Sequence, residues 1–75
     1  MPKLHGMNPP TYIRKVAFGM TQRQLSDALG ITPGAISQWE TVGRVPSRYQ
    51  QAVRSLASDM GKVWSDSWFF ETPED

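Results

Sequence analysis

The stretch that decides the fold is TQRQLSDALGITPGAISQWET, residues 21–41. It contains two signals for the start of a helix, only eleven residues apart. Thr21 and Gln24 form a capping box, in which the hydroxyl and the side-chain amide satisfy two backbone N–H groups at the helix start. Thr32 is suited to be an N-cap, and Pro33 then occupies the first helical position, where its missing N–H costs nothing. The stretch therefore predicts two short consecutive helices.

The connection between these two helices is a tight turn. Gly30 ends the first helix, because glycine adopts the left-handed conformation that other residues resist. Two helices joined by about three residues with a glycine at the bend are the signature of a helix-turn-helix. Ile36 and Trp39, three residues apart, predict the buried side of the second helix, and the small Ser26 allows the two helices to cross closely. The start and the open face of the second helix then consist of Thr32, Pro33, Gly34, Ala35, Ser37 and Gln38.

Two further helices flank this motif. Asn8 and two prolines start the first one, Gly19 ends it, and its predicted apolar positions are Tyr12, Ile13, Val16 and Ala17. Ser47 and Gln50 form a second candidate capping box, and the helix after it has an apolar side of Tyr49, Ala52, Val53, Leu56 and Ala57. We therefore expect an all-α bundle of four to five helices, with residues 1–8 as an N-terminal arm and residues 9–61 as the helix-turn-helix domain.

Charge is distributed unevenly along the chain. Residues 1–58 contain seven basic and two acidic residues, a net charge of +5, whereas residues 59–75 have a net charge of −4. A basic body with an acidic tail suits a domain that binds a polyanion and keeps its last segment away from it. A solvated surface on which charges cluster by chance has the same composition, so charge alone leaves both interpretations open.

Several functional classes are disfavoured by composition. The chain has no cysteine and one histidine, so it lacks a plausible set of zinc ligands. No nucleophile–histidine pairing or phosphate-cradling glycine loop is present, so we expect no catalytic residue, no cofactor, no metal and no small-molecule substrate. No apolar run approaches the roughly 18 residues of a membrane span, and the N-terminus lacks an apolar signal-peptide core. We therefore expect a cytoplasmic protein that is not an enzyme.

The motif resembles the lambda-repressor/Cro class of phage and bacterial regulators over about residues 10–58. The residues that carry this resemblance are Thr21, Gln22, Leu25, Gly30, Thr32, Ile36, Gln38, Glu40 and Gly43. The segment GRVPSRYQQAV, residues 43–53, is similar to small Cro-type proteins of phages. The chain departs from the pattern at Ser26, where the family often has alanine.

This resemblance implies a set of DNA contacts. The positions that contact base edges in the family correspond to Thr32, Pro33, Gly34, Ala35, Ser37 and Gln38. The position of Gln22 contacts a phosphate in the family, and basic residues after the recognition helix, here Arg44 and Arg48, bind the DNA backbone. Arg23 adds a further cation for the salt-dependent part of the affinity. Lys15 and Glu40 are at positions where the family often has a structural salt bridge.

The segment 62–75 is aromatic and acidic and contains Trp64, Trp68, Phe69 and Phe70. Side chains this apolar either fold back on the first and fourth helices or form a contact between two copies, and we favour the dimer contact. The expected function is sequence-specific binding of double-stranded DNA by a homodimer on an inverted repeat, as a Cro-like repressor that occupies an operator in a bacterial or phage-infected cell. The alternative is a protein-interaction module, an antirepressor or antitoxin, that binds its partner through these aromatic residues.

Overall fold

The computed structural model describes residues 7–72. These residues form α1 (Pro9–Tyr12), which continues directly as a π-helix (Ile13–Phe18), and then α2 (Gln22–Leu29), α3 (Pro33–Val42) and α4 (Ser47–Asp59). A 3₁₀ helix (Asp66–Phe69) follows near the end. No strand occurs between residues 7 and 72, so the predicted all-α bundle is confirmed.

The helix-start signals of residues 21–41 form as predicted. The Thr21 hydroxyl accepts from the Gln24 backbone N–H at 3.0 Å, and the Gln24 side chain accepts from the Thr21 N–H at 2.9 Å. Thr32 caps α3 by accepting from the backbone N–H of Ala35 at 3.2 Å. Between the two helices Gly30 has a φ of 73°, the left-handed conformation that the turn requires. Local sequence therefore determines both ends of the turn.

The start of α4 differs from the prediction of a second capping box. Pro46 is the N-cap, no side chain caps this helix, and Ser47 is already its first helical residue. Since Ser47 lies inside the helix, its hydroxyl is not in the position from which an N-cap side chain accepts a bond. The Gln50 amide instead donates to the backbone carbonyl of Val45 at 3.3 Å.

The segment after α1 has π-helical rather than α-helical geometry, and this changes which residues face inward. Tyr12 and Ile13 are buried as predicted, but Val16 is 44 % exposed and Phe18 is buried instead. In a π-helix the backbone bonds join residues five apart, so Ile13 and Phe18 fall on the same side. The inward position assigned to Val16 was wrong because it assumed the α-helical period.

The crossing of α2 and α3 is close, and Ser26 lies fully buried within it. Its hydroxyl donates to the backbone carbonyl of Arg23 at 2.8 Å, within its own helix. Because this bond satisfies the hydroxyl, serine can occupy a position where the family often has alanine. Ile36 and Trp39 are 1 % and 4 % exposed, which confirms the predicted buried side of α3.

The aromatic segment near the C-terminus completes the core of the same chain. Phe69 is only 3 % exposed, Trp64 stacks on Phe18 at 6.2 Å between ring centroids, and Trp68 meets Tyr12 edge-on at 5.5 Å. Of the four aromatic residues assigned to a dimer contact, these three pack within the chain. The buried cluster consists of Ile13, Phe18, Leu25, Ile36, Trp39, Val45, Val53, Ala57 and Phe69.

Polar contacts hold this segment in place. The side chains of Arg54 and Trp64 both donate to Oδ1 of Asp66, each at 2.8 Å. The hydrogen bond from Arg54, and then that from Trp64, lowers the pKa of Asp66. At the other end of the segment, the Thr72 hydroxyl donates to the Met7 carbonyl at 2.9 Å. The segment is therefore attached to α4 and to the residues before α1.

Replacing Phe69 with alanine tests whether the aromatic segment is part of the core. We expect Phe69→Ala to lower the free energy of unfolding by about 3–5 kcal/mol, because it removes a buried ring and leaves a cavity. Such a loss approaches the whole stability of a domain of this size. Urea denaturation followed by far-UV circular dichroism at low protein concentration measures it.

The adjacent Phe70 provides a matched control, because it is the same residue type but 77 % exposed. Phe70→Ala should change the free energy of unfolding by less than about 0.5 kcal/mol, as is usual for a surface substitution. If Phe69→Ala were as stable as the unchanged chain, the placement of this segment in the core would be wrong.

Candidate nucleic-acid interface

Helix α3 has one side in the core and the other open to solvent. The residues predicted to contact bases all lie at its N-cap and in its first two turns, and the structure brings them together on one surface. Ala35 among them is half-buried, and the exposed ones are Thr32, Pro33, Gly34, Ser37 and Gln38. This arrangement leaves a helix face free to enter a groove while the opposite face anchors it.

Two of these positions have properties that suit close contact with a ligand. The Thr32 hydroxyl oxygen accepts a capping bond, but its O–H hydrogen remains free to donate. A Cβ placed on Gly34 would meet only the Thr32 hydroxyl, at 3.8 Å, so packing within the chain does not require glycine there. Glycine inside a helix costs roughly 1 kcal/mol relative to alanine, and the missing Cβ leaves the backbone open at this position.

The recognition helix itself carries no lysine or arginine, and the cations lie beside it. Arg23, Arg44 and Arg48 are all exposed. Arg23 approaches Asp27 at 3.9 Å, but both side chains are more than two-thirds exposed, so this pair contributes at most about 1 kcal/mol. The guanidinium of Arg48 lies 5.2 Å from the centre of the Tyr49 ring. The three cations are therefore accessible to phosphate groups.

Gln22, the first residue of α2, is half-buried, and its side chain turns toward α3. Its amide nitrogen donates to Oε1 of Glu40 at 3.4 Å. An amide nitrogen carries two hydrogens, so the second one can still be donated to a phosphate oxygen. The contact thus orients the side chain at the place where the resemblance implies a phosphate.

Glu40 forms its salt bridge with Arg14, and the predicted pair of Lys15 and Glu40 is not made. The Arg14 Nε and Nη2 atoms donate to the two carboxylate oxygens, the latter at 3.1 Å, and Nη1 donates to the Met20 carbonyl at 3.0 Å. Arg14 is 8 % exposed, whereas Lys15 points to solvent. Arg14 is one of the buried residues of the π-helical segment, whereas the family resemblance had assigned the pair to the adjacent Lys15.

The surroundings of Glu40 favour its ionised form. Partial burial raises the pKa of this carboxyl, but the hydrogen bond and charge of Arg14, with hydrogen bonds from Thr11 and Gln22, outweigh burial. The net effect is a pKa below the usual range of glutamate. The backbone carbonyl of Glu40 also accepts a bond from the Asn8 side chain. Glu40 therefore connects α3 to three preceding parts of the chain.

Two surface grooves lie on either side of Arg44, and the sequence analysis identified neither. The first, of about 360 Å³, is lined by Gln38, Trp39, Val42, Arg44, Pro46 and Ser47. The second, of about 300 Å³, is lined by Gly43, Arg44, Val45, Gln50, Phe69 and Phe70. The first is formed by residues 38–47 alone, whereas the second depends on how the turn after α3 packs against residues far along the chain, which no local sequence pattern reports.

Between residues 7 and 72, no group of three or more histidine, cysteine or acidic side chains lies close enough together to hold a metal ion. None of the helices in this range combines the length and the apolar character that crossing a membrane requires.

Comparison with known proteins agrees with this geometry. Residues 12–48 match the model of a family described as helix-turn-helix, in agreement with the resemblance to the lambda-repressor/Cro class. No curated protein and no solved structure gives a significant match. The family assignment and the exposed recognition helix together identify a DNA-binding helix-turn-helix regulator whose ligand is double-stranded DNA.

The contribution of Glu40 to stability should depend on pH. Because its pKa is lower in the folded than in the unfolded chain, its ionised form stabilises the fold above about pH 4.3, and this contribution is lost as the pH falls below that value. We expect Glu40→Gln to lower the free energy of unfolding by roughly 1–3 kcal/mol at pH 7. The difference from the unchanged chain should shrink toward pH 3, as measured by denaturant titrations at each pH.

Glu71→Gln is the matched control, because Glu71 is exposed and makes no salt bridge among the described residues. It should alter the free energy of unfolding at pH 7 by less than about 0.5 kcal/mol. A difference between Glu40→Gln and the unchanged chain that stayed constant from pH 7 to pH 3 would contradict the role assigned to the ionised carboxylate.

Proposed function

We propose that the protein is a sequence-specific transcriptional repressor of the Cro type that acts by occupying an operator in bacterial or phage DNA. The observation that carries this proposal is the two-sided recognition helix, with Ile36 and Trp39 buried and the residues from Thr32 to Gln38 largely open. A major groove admits one α-helix, and the exposed face supplies the side chains that would meet the base edges there.

The chemistry of the open face suggests a role for each residue. Gln38 presents both a donor and an acceptor, which matches the N6 and N7 atoms of adenine. Ser37 and Thr32 offer hydroxyl groups to bases or phosphates, and Pro33 and Ala35 offer apolar contact to a thymine methyl group. Because α3 contains no arginine or lysine, DNA shape and deformability should carry part of the specificity.

The residues around α3 would hold the protein on the DNA backbone. Arg23, Arg44 and Arg48 are exposed cations that flank the open face, and phosphate contacts of this kind give affinity without reading sequence. Gln22 would add a hydrogen bond to a phosphate from the start of α2. Repression follows from occupancy alone, since a bound protein excludes other proteins from the same DNA.

A homodimer suits this function, because two-fold symmetry in the protein matches an inverted repeat in the operator. Two recognition helices would then enter successive major grooves about 34–36 Å apart. Such a repressor would work in the cytoplasm of a bacterial or phage-infected cell, where the operator is. The rival hypothesis of an antirepressor or antitoxin depended on free aromatic side chains, and Trp64, Trp68 and Phe69 pack within the chain.

Selection of bound sequences from random duplex DNA at moderate salt tests the proposal directly. We expect enrichment of an inverted repeat whose half-sites are about one helical turn apart. Enrichment of an isolated half-site would support sequence-specific binding but contradict the proposed homodimer. If the protein retains DNA in a salt-sensitive way but enriches no sequence, the proposal of a sequence-specific repressor is contradicted.

Two substitutions should separate reading of bases from contact with the backbone. Gln38→Ala should weaken binding to the selected sequence by about 1–3 kcal/mol, through lost discrimination at one base pair, and leave binding to random DNA nearly unchanged. Arg48→Ala should weaken binding to both DNAs alike and reduce the slope of log affinity against log salt by about 1. Fluorescence anisotropy over a range of salt concentrations measures both effects.

Ser55→Ala serves as the control, because Ser55 is exposed in the middle of α4, away from the recognition helix. Its affinity and salt slope should equal those of the unchanged chain. Equal losses on selected and random DNA for Gln38→Ala would refute the assignment of Gln38 to base contact.

A further inference from the structure

The last residue of the recognition helix is an apolar side chain that is exposed to solvent. Val42 ends α3 and is 60 % exposed. It follows Gln38 by four residues, which places the two side chains on the same side of the helix. Because side chains of an α-helix lean toward its N-terminus, Val42 leans back toward Gln38. The open face of α3 therefore continues for one turn beyond Gln38 and ends in an apolar side chain.

Val42 lines the groove of about 360 Å³, and the position of this groove indicates what occupies it. Its solvent-facing lining is almost entirely apolar, and its apolar side chains are Trp39, Val42 and Pro46. The lining also includes Gln38, to which the proposed function assigns a base edge, and Arg44, to which it assigns a phosphate. The groove is therefore continuous with the proposed DNA interface and lies between a base contact and a backbone contact.

Thymine presents an apolar group in the corresponding part of the major groove of DNA. Its C5-methyl group is the apolar group that base edges display there, beside hydrogen-bonding atoms such as N6 and N7 of adenine. Within the base, this methyl group lies on the side of O4 that is nearer to the phosphates of its own strand. A protein surface that contacts a base edge and a phosphate thus meets the methyl group between them, where this chain has an apolar groove.

We propose that this groove binds the C5-methyl group of a thymine, in the base pair adjacent to the one that Gln38 contacts. Val42 covers the methyl group from α3, and Trp39 and Pro46 supply the other apolar contacts. The inference rests on the proposed function and adds a base position to it, at the opposite end of α3 from Pro33. Because binding a methyl group needs no hydrogen bond, the groove recognises thymine although α3 contains no lysine or arginine.

Replacing thymine with deoxyuridine removes only the methyl group, so it tests this contact alone. Each thymine in a half-site of the selected sequence is replaced in turn. One replacement, adjacent to the base pair affected by Gln38→Ala, should weaken binding of the unchanged chain about fourfold, the effect of one apolar carbon returned to water. With Val42→Ala the same replacement should have much less effect, since most of the contact is already lost. Fluorescence anisotropy measures the four affinities of this cycle.

Val63→Ala is the matched control, because Val63 is 85 % exposed but lines neither groove. This variant should keep the full effect of deoxyuridine. Both variants should have the circular dichroism spectrum and the urea midpoint of the unchanged chain, because both valines are exposed. If no thymine shows an effect of deoxyuridine that depends on Val42, the proposal is overturned.

A second test leaves the protein unchanged. With cytosine paired to guanine at the identified position, 5-methylcytosine restores the methyl group without restoring O4 of thymine. The duplex with 5-methylcytosine should bind about fourfold more tightly than the one with cytosine. Equal affinities would show that the protein recognises another atom of thymine and would overturn the proposal.

Random DNA distinguishes the methyl group from the deoxyribose, the other apolar part of DNA near such a groove. Every nucleotide has a deoxyribose, so contact with it would make Val42→Ala weaken binding to selected and random duplexes alike, which would overturn the proposal. An enriched operator in which no thymine depends on Val42 refutes the methyl contact and leaves the repressor standing. If the selection enriches no sequence at all, the repressor itself is refuted, and the methyl contact with it.

Discussion

The carboxylate of Glu40 is the interaction on which the position of the recognition helix depends. It accepts hydrogen bonds from Arg14 and Gln22, while its backbone carbonyl accepts one from Asn8. A charge in so sheltered a place is tolerated only when it is paired and hydrogen-bonded. The apolar contacts of Ile36 and Trp39 hold α3 against the core, and these directional bonds add control over its rotation.

That network depends on an irregular helix, which is why the sequence predicted it incompletely. Capping residues and glycines act through local geometry, so the boundaries around Thr21, Gly30 and Thr32 followed from the sequence. The π-helical stretch leaves no comparable local signal. Assuming the ordinary helical period therefore placed Val16 inward. The family resemblance assigned the salt bridge to Lys15, whereas Arg14 is the residue that reaches Glu40.

In the candidate interface, too, the features that the sequence predicted are those that depend on local geometry within one helix. The open face of α3 followed from the spacing of Ile36 and Trp39 on one helix. The second groove beside Arg44 arises where distant segments meet, with Phe69 and Val45 both in its lining. Phe69 and Phe70 are chemically identical neighbours with opposite exposure, so composition could mark their segment as apolar without assigning either ring to the core or the surface.

The placement of Phe69 in the core has a consequence during translation. The segment that matches the family ends at residue 48, so it is synthesised before the aromatic residues that cover its first helix. Because the core closes only when Phe69 arrives, the nascent helix-turn-helix lacks its full support until then. A product of premature termination before this point would lack the packed core that orients the recognition helix.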